Sequence, residues 1–138
     1  MEDEKLSHNI IGIAMKLHST LGCGFPEVFY QRALAVAFKR RNIAFVREKE
    51  MKIFYEGESI GKRRVDFFIE DKIMLEIKAR PRVIPAHYTQ IMNYCFTYDL
   101  PFGLLINFGS AKLEYKRVYN LDHSKNIAYK KHKNNNTS

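Results

Sequence analysis

Leu6, Ile10, Ile13, Leu17 and Leu21 recur at intervals of three and four, which places one apolar stripe along an amphipathic first helix. Gly22-Cys23-Gly24 ends that helix, and Pro26 stands where a second begins, a position at which proline sacrifices no hydrogen bond. The second helix is predicted to run to about Arg41, with Leu34 and Phe38 turned inward. The pattern then changes period. Residues 43–55 read as a long strand, Glu56-Gly57-Glu58 as a turn, and residues 59–69 and 73–79 as two more strands. Pro81 and Pro85 interrupt the chain before a third helix over 85–98, which Asp99-Leu100-Pro101 terminates. Residues 102–108 form a short buried strand and 112–119 a more exposed last one. The predicted order is ααβββαββ, a mixed α/β chain of the α+β kind without internal repeats.

Three charges interrupt the most apolar part of this pattern. Val65-Asp66-Phe67-Phe68-Ile69 and Ile73-Met74-Leu75-Glu76-Ile77-Lys78-Ala79 flank the polar break Glu70-Asp71-Lys72, as two buried strands of a hairpin would. Charged groups in such strands are costly unless they are paired or bind a metal. Side chains alternate, so Asp66 and Phe68 are expected on one face, with Met74, Glu76 and Lys78 sharing a face on the next strand. A three-residue loop pairs Ile69 with Ile73 and sets Asp66 opposite Glu76. Opposed side chains lie about 4.5–5.5 Å apart at Cβ, close enough for two carboxylates to hold one hard cation. A two-residue loop would set Asp66 opposite Leu75 and break the site. The string E-x-K also occurs at Glu50-Met51-Lys52, Glu70-Asp71-Lys72 and Glu114-Tyr115-Lys116, but only Glu76-Ile77-Lys78 lies in an apolar strand with an acid one strand earlier. A purely structural pair between Lys78 and one acid would leave the other carboxylate uncompensated.

The chain has 138 residues, the length of one domain with a genuine core, predicted to occupy residues 1–120. The acidic start Met1-Glu2-Asp3-Glu4-Lys5 lacks the apolar core of a signal peptide. No apolar run approaches the roughly 20 residues that span a bilayer. Cys23 and Cys95 are isolated, without zinc or disulfide spacing. A soluble, cytoplasmic protein without membrane contact is the expectation. The formal net charge is +8. Residues 121–138 contribute four Lys and one Asp to it, and this low-complexity segment is expected to be a disordered basic tail. Lys62-Arg63-Arg64 and Arg80 with Arg82 flank the charged strands and fit a polyanionic partner.

Helical spacing puts Glu27, Tyr30, Gln31 and Leu34 on one face of the second helix, so Glu27 is expected to point towards the sheet. On the third helix His87, Gln90, Ile91 and Tyr94 share a face. There Gln90 is placed to hydrogen-bond a water or a phosphate, with Tyr94 bracing it one turn away. His87 has no second histidine to join it on a metal, and His18 reads as a satisfied interior histidine. No G-x-S-x-G, Walker-type or Rossmann-type glycine pattern is present.

Gly24-x-x-Glu27-x-x-Tyr30, preceded by Leu17-His18-Ser-Thr-Leu-Gly22, resembles the signature of the GxxExxY proteins. Val65-Asp66, Glu76-Ile77-Lys78, His87-x-x-Gln90-x-x-Asn93-Tyr94 and Gly103-Leu-Leu-Ile-Asn-Phe-Gly109 follow in that family's order. The resemblance covers about residues 5–119 and implies the PD-(D/E)xK superfamily, with a restriction-endonuclease-like core of a mixed sheet flanked by helices. It further implies Asp66, Glu76 and Lys78 as a catalytic trio, with Val65 in place of the proline that names the superfamily. Glu27 would be the acid of the leading helix, and Gln90 with Tyr94 a Q-x-x-x-Y element. The expected activity is a Mg²⁺- or Mn²⁺-dependent nuclease, on DNA before RNA, leaving 5′-phosphate and 3′-hydroxyl ends. Asp66, Glu76 and the Ile77 carbonyl would hold the metal, an all-oxygen set that suits a hard cation. The alternative is a nucleic-acid- or protein-binding module that keeps the fold without turnover. A homodimer is left open.

Overall fold

The protein is described by a computed structural model over residues 2–123. Two helices, α1 (Glu2–Leu21) and α2 (Glu27–Arg40), precede strands β1 (Phe45–Tyr55), β2 (Glu58–Ile69) and β3 (Ile73–Lys78). Helix α3 (Pro85–Thr97) then crosses over to β4 (Phe102–Asn107), and β5 (Glu114–Tyr119) follows. The five strands form one mixed sheet in sequence order, with β3 and β4 parallel and the other neighbours antiparallel. Element order and sheet are those expected of a restriction-endonuclease-like α+β domain.

The sheet separates two apolar clusters. Ile10, Ile13 and Ala14 of α1 and Tyr30, Leu34 and Phe38 of α2 cover one face, against Phe67, Leu75, Ile77, Leu104 and Ile106. On the other face, Ile91, Tyr94 and Cys95 of α3 pack on Val65, Phe68, Met74 and Leu105. Burial in the second cluster pushes the Cys95 thiol up to about 12, so it acts as packing material and not as a nucleophile. The contact of α3 with β4 is close. A Cβ on Gly103 would run into the Ile91 side chain.

The β2–β3 hairpin has the predicted register, with Ile69 opposite Ile73 and Glu70-Asp71-Lys72 outside the ladder. Strict alternation does not hold, however. Val65 and Phe68, three residues apart, lie in the same cluster, so the strand slips by one position across Asp66 and Phe67. The slip coincides with a distortion of the neighbouring strand. Glu48 sits at φ 51°, between the pairs Arg47–Phe67 and Lys49–Val65, hence across from Asp66. A non-glycine residue in the left-handed region costs on the order of 1–3 kcal/mol and persists only where its surroundings enforce it.

Residues 121–123, expected to open the tail, are described and follow β5 directly. Asn120 bonds the Pro101 and Cys95 carbonyls, and His123 is buried 3.8 Å from the Asp99 carboxylate. Residues 124–138, which hold the rest of the expected tail, lie outside the described residues. No described helix is long and apolar enough to cross a membrane.

Candidate active site

Beyond Phe67 and Leu75 the β2–β3 ladder stops, and two carboxylates take over its hydrogen bonds. The Asp66 N–H donates to Glu76 Oε1 at 3.1 Å, and the Ile77 N–H donates to Asp66 Oδ2 at 2.8 Å. Side chains thus hold the two strands apart where backbone would otherwise pair. Asp66 and Glu76 also hydrogen-bond each other directly. Burial, followed by the nearby Asp66 charge, pushes Glu76 up to about 8. Asp66 is raised as well, by burial, against the opposing pull of the Ile77 N–H and of Lys78. The pair therefore keeps one proton between its two carboxylates near neutral pH.

Lys78 is the cation shared by this group, and its charge lowers Glu27, Asp66, Glu76 and the neighbouring His87. Arg80 adds to the field at Glu27 and His87. Its backbone is fixed from β4. Asn107 accepts from the Arg80 N–H at 3.0 Å and donates to the Arg80 carbonyl at 2.8 Å. Gly109 is required opposite, since a Cβ there would strike the Arg80 backbone.

Glu27 enters from the start of α2, but its side chain is exposed, contrary to the expectation that it points into the sheet. It is a first-turn residue, and burial of α2 begins only at Tyr30, Gln31 and Leu34. It still feels the site. Desolvation and the Asp66 charge raise it, while Lys78 and Arg80 pull it down.

The spacing of Gly24, Glu27 and Tyr30 has a local explanation. Gly24 adopts φ 110°, which a side chain would disfavour. Tyr30 stacks on Phe108 with ring centres 4.7 Å apart, donates to the Gly22 carbonyl at 2.6 Å and accepts from the Phe25 N–H at 3.2 Å. Its hydroxyl thereby ties down the loop that delivers Glu27. Tyr30→Phe keeps the stack and strips two backbone groups of their partner. Chemical denaturation should show a loss of about 1–3 kcal/mol, and an unchanged midpoint would mean that the loop holds itself.

From the opposite side, α3 presents its polar stripe. His87 is buried, and its Nδ1 accepts from the Ile84 N–H at 3.3 Å, so it caps the helix with a neutral ring. Desolvation, Lys78 and Arg80 all depress its basicity. Gln90 hydrogen-bonds the Tyr94 hydroxyl, and Tyr94, raised chiefly by burial, senses both Glu76 and Arg63. His18, on α1, donates from Nε2 to the Ser110 carbonyl at 3.0 Å, as an interior histidine.

The remaining basic residues are more dispersed. Arg82 is exposed in the loop before α3, and Lys62, Arg63 and Arg64 are exposed along β2. Lys62 pairs with Glu50 at 2.9 Å, away from the carboxylates.

Gln31 and Arg47 have no role in the sequence reading, yet both join the site. Arg47 Nη2 donates to Gln31 Oε1 at 2.7 Å, and Gln31 Nε2 donates to Asp66 Oδ1 at 3.3 Å. Arginine can only donate, so the amide must turn its oxygen to Arg47 and its nitrogen to Asp66. Both oxygens of Asp66 are thereby held. The only signal in the sequence is a glutamine on the inward face beside Leu34.

Among the described residues no set of three or more His, Cys, Asp or Glu side chains is arranged to hold a metal ion by itself. The donors present are two carboxylates and backbone oxygen. Such a set suits a hard cation that keeps part of its water shell, and the proton that the pair retains stands where a cation's charge would go.

No curated protein matches this chain significantly. Among solved structures, the crystal structure of SSO0001 superimposes with a TM-score of 0.55 at 20% sequence identity. The match covers 76% of this chain and 56% of that one, so this chain spans little more than half of its length, and the likeness is one of fold. The family profile of the PD-(D/E)XK nuclease superfamily matches residues 4–118. With that match over most of the described domain, the chain belongs to the PD-(D/E)XK nuclease superfamily.

Proposed function

We propose that this protein is a Mg²⁺- or Mn²⁺-dependent nuclease that hydrolyses phosphodiester bonds, with DNA as its substrate, and that it falls in the GxxExxY branch of its superfamily. The observation that carries this reading is the meeting of Asp66 and Glu76 in the open end of the hairpin, sharing one proton, with Lys78 beside them. Asp66, Glu76 and the Ile77 carbonyl would hold the cation, whose contribution when bound is Lewis acidity toward phosphate oxygen and water.

The chain's own groups supply the rest. Lys78 faces the scissile phosphate and offsets the charge that builds up on it during attack. Gln31 and the Ile77 N–H fix the Asp66 carboxylate so that its geometry does not reorganise. Gln90, steadied by Tyr94, orients the attacking water or a phosphate oxygen, and Glu27 takes an outer-sphere water or a second cation. His87, neutral and capping α3, keeps that helix end in place. Arg80 and Arg82 hold the flanking phosphates on one side, and Lys62, Arg63 and Arg64 do so on the other.

The test is a panel of linear duplex, circular duplex and single-stranded DNA, with matching RNA, in Mg²⁺, Mn²⁺ or chelator. Cleavage with either metal and none in chelator is the expected result, with DNA cut faster than RNA. Binding that persists in chelator without cleavage under any condition would select the non-catalytic binding module instead.

A further inference from the structure

The β1–β2 pair leaves the sheet at the site itself. β2 pairs with β3 only over Phe67–Ile69, while its pairing with β1 continues from Lys49–Val65 out to Tyr55–Glu58. The last turn is tight, with Glu56 at φ 49° and Gly57 at φ 84°, as in the two-residue turns that suit a twisted hairpin. About seven residues at roughly 3.3 Å each carry the tip on the order of 20 Å beyond the carboxylates. The root of this ribbon is anchored. Met51 and Val65 are buried in the cluster under α3, and the Tyr98 hydroxyl donates to the Lys52 carbonyl.

The tip is built differently from the stem. Phe54, Tyr55 and Ile60 are 54%, 66% and 67% exposed. The register shift after Ile53 pairs Phe54 with Ser59 and leaves Ile60 as a bulge without a ladder partner, which directs it out of the ribbon. Behind these residues stand five cations, Lys49, Lys52, Lys62, Arg63 and Arg64. The acids are segregated from most of them: Glu56 and Glu58 occupy the turn, and Glu50 is paired with Lys62. A cationic stem favours phosphates, whereas an apolar tip flanked by acids is repelled by them and favours base surfaces.

We propose that the β1–β2 ribbon is a duplex-probing arm: its stem tracks the phosphate backbone, and Phe54, Tyr55 and Ile60 wedge against bases that are unpaired or poorly stacked, up to about six base pairs from the scissile bond. This deepens the nuclease reading, on which it rests, by making a duplex with an opened step the preferred substrate. Apolar side chains inserted at a base step are repaid most where the step is already weak.

The test is run in chelator, so its outcome is independent of whether the protein cleaves. A duplex carrying one mismatch beside 2-aminopurine is compared with the fully paired duplex and with a single strand of equal length, by anisotropy and by 2-aminopurine emission. The parent should prefer the mismatched duplex and raise its emission. The variant F54T/Y55T/I60T, checked for an unchanged melting transition, should lose about tenfold or more in affinity for the mismatched duplex together with the emission change. Its slope of log Kd against log salt should stay the same. Should the triple variant not fold, the single Ile60→Thr change at the bulge carries the same comparison with a smaller effect. Lys52→Gln should do the converse, flattening the slope by about one while keeping the emission rise. Equal affinity of parent and tip variant for the mismatched duplex, or no emission change with the parent, would overturn the proposal. So would a tip variant that alters the sedimentation of the free protein while leaving DNA binding intact, since the tip would then be a self-association surface.

Discussion

Lys78→Ala is expected to slow DNA cleavage by about a hundredfold or more, the scale of one preorganised electrostatic group acting on transition-state charge. The variant removes the one cation, among the described residues, whose field reaches Glu27, Asp66, Glu76 and His87 together. It leaves the carboxylates and their backbone hydrogen bonds in place, so Mn²⁺ titration should still detect a site. The loss should therefore fall on kcat, with KM changed only slightly, because affinity for the polyanion rests on the several arginines and lysines outside the carboxylate pair. A variant that cleaves as fast as the parent would remove Lys78 from the chemistry and assign the activity to another site or to a contaminant.

Glu76→Gln should abolish cleavage and yet make the metal-free protein more stable above neutral pH. An acid whose folded pKa is raised destabilises the fold once it must ionise. Its favourable contribution is complete below its ordinary value of 4.5 and is lost as pH rises through about 8. Asp66 and Glu27 are shifted the same way. His87, whose basicity is depressed, works in the other direction, with stability lost as pH falls through its ordinary value of 6.5. The window from pH 6.5 to 8 therefore isolates the acids. The unfolding free energy of the parent in chelator, from denaturant titration, should decline across it by up to about 2 kcal/mol, and that of Glu76→Gln should stay nearly flat. The glutamine oxygen can still accept from the Asp66 N–H, so packing is kept. Millimolar Mn²⁺ should restore the parent through preferential binding to the folded state and leave the variant unaffected. A parent whose stability is level across the window would mean that Glu76 titrates normally.

The architecture was legible because its signals are periodic and local. The leucine and isoleucine stripe of α1, the alternation through β2 and β3, and the prolines around α3 each follow from one segment alone. The register of the hairpin was legible for the same reason, through the length of Glu70-Asp71-Lys72. What escaped is made by side chains that meet from separate elements. Arg47 lies on an edge strand and Gln31 on a helix, and no spacing within either segment announces that they join at Asp66. The slip at Val65 escaped because alternation assumes an undistorted strand, and the distortion is set by Glu48 on its neighbour. Glu27 stands seven residues before Leu34 on α2, but angular position does not say at which turn a helix enters the core.

The donation from Arg47 through Gln31 to Asp66 runs in one direction only, which gives the edge of the sheet leverage over its middle. The amide is gripped at both ends, its oxygen by a guanidinium and its nitrogen by a carboxylate, so neither end can turn without losing a charge-assisted bond. The outermost strand thus serves as a splint for a carboxylate on the next one.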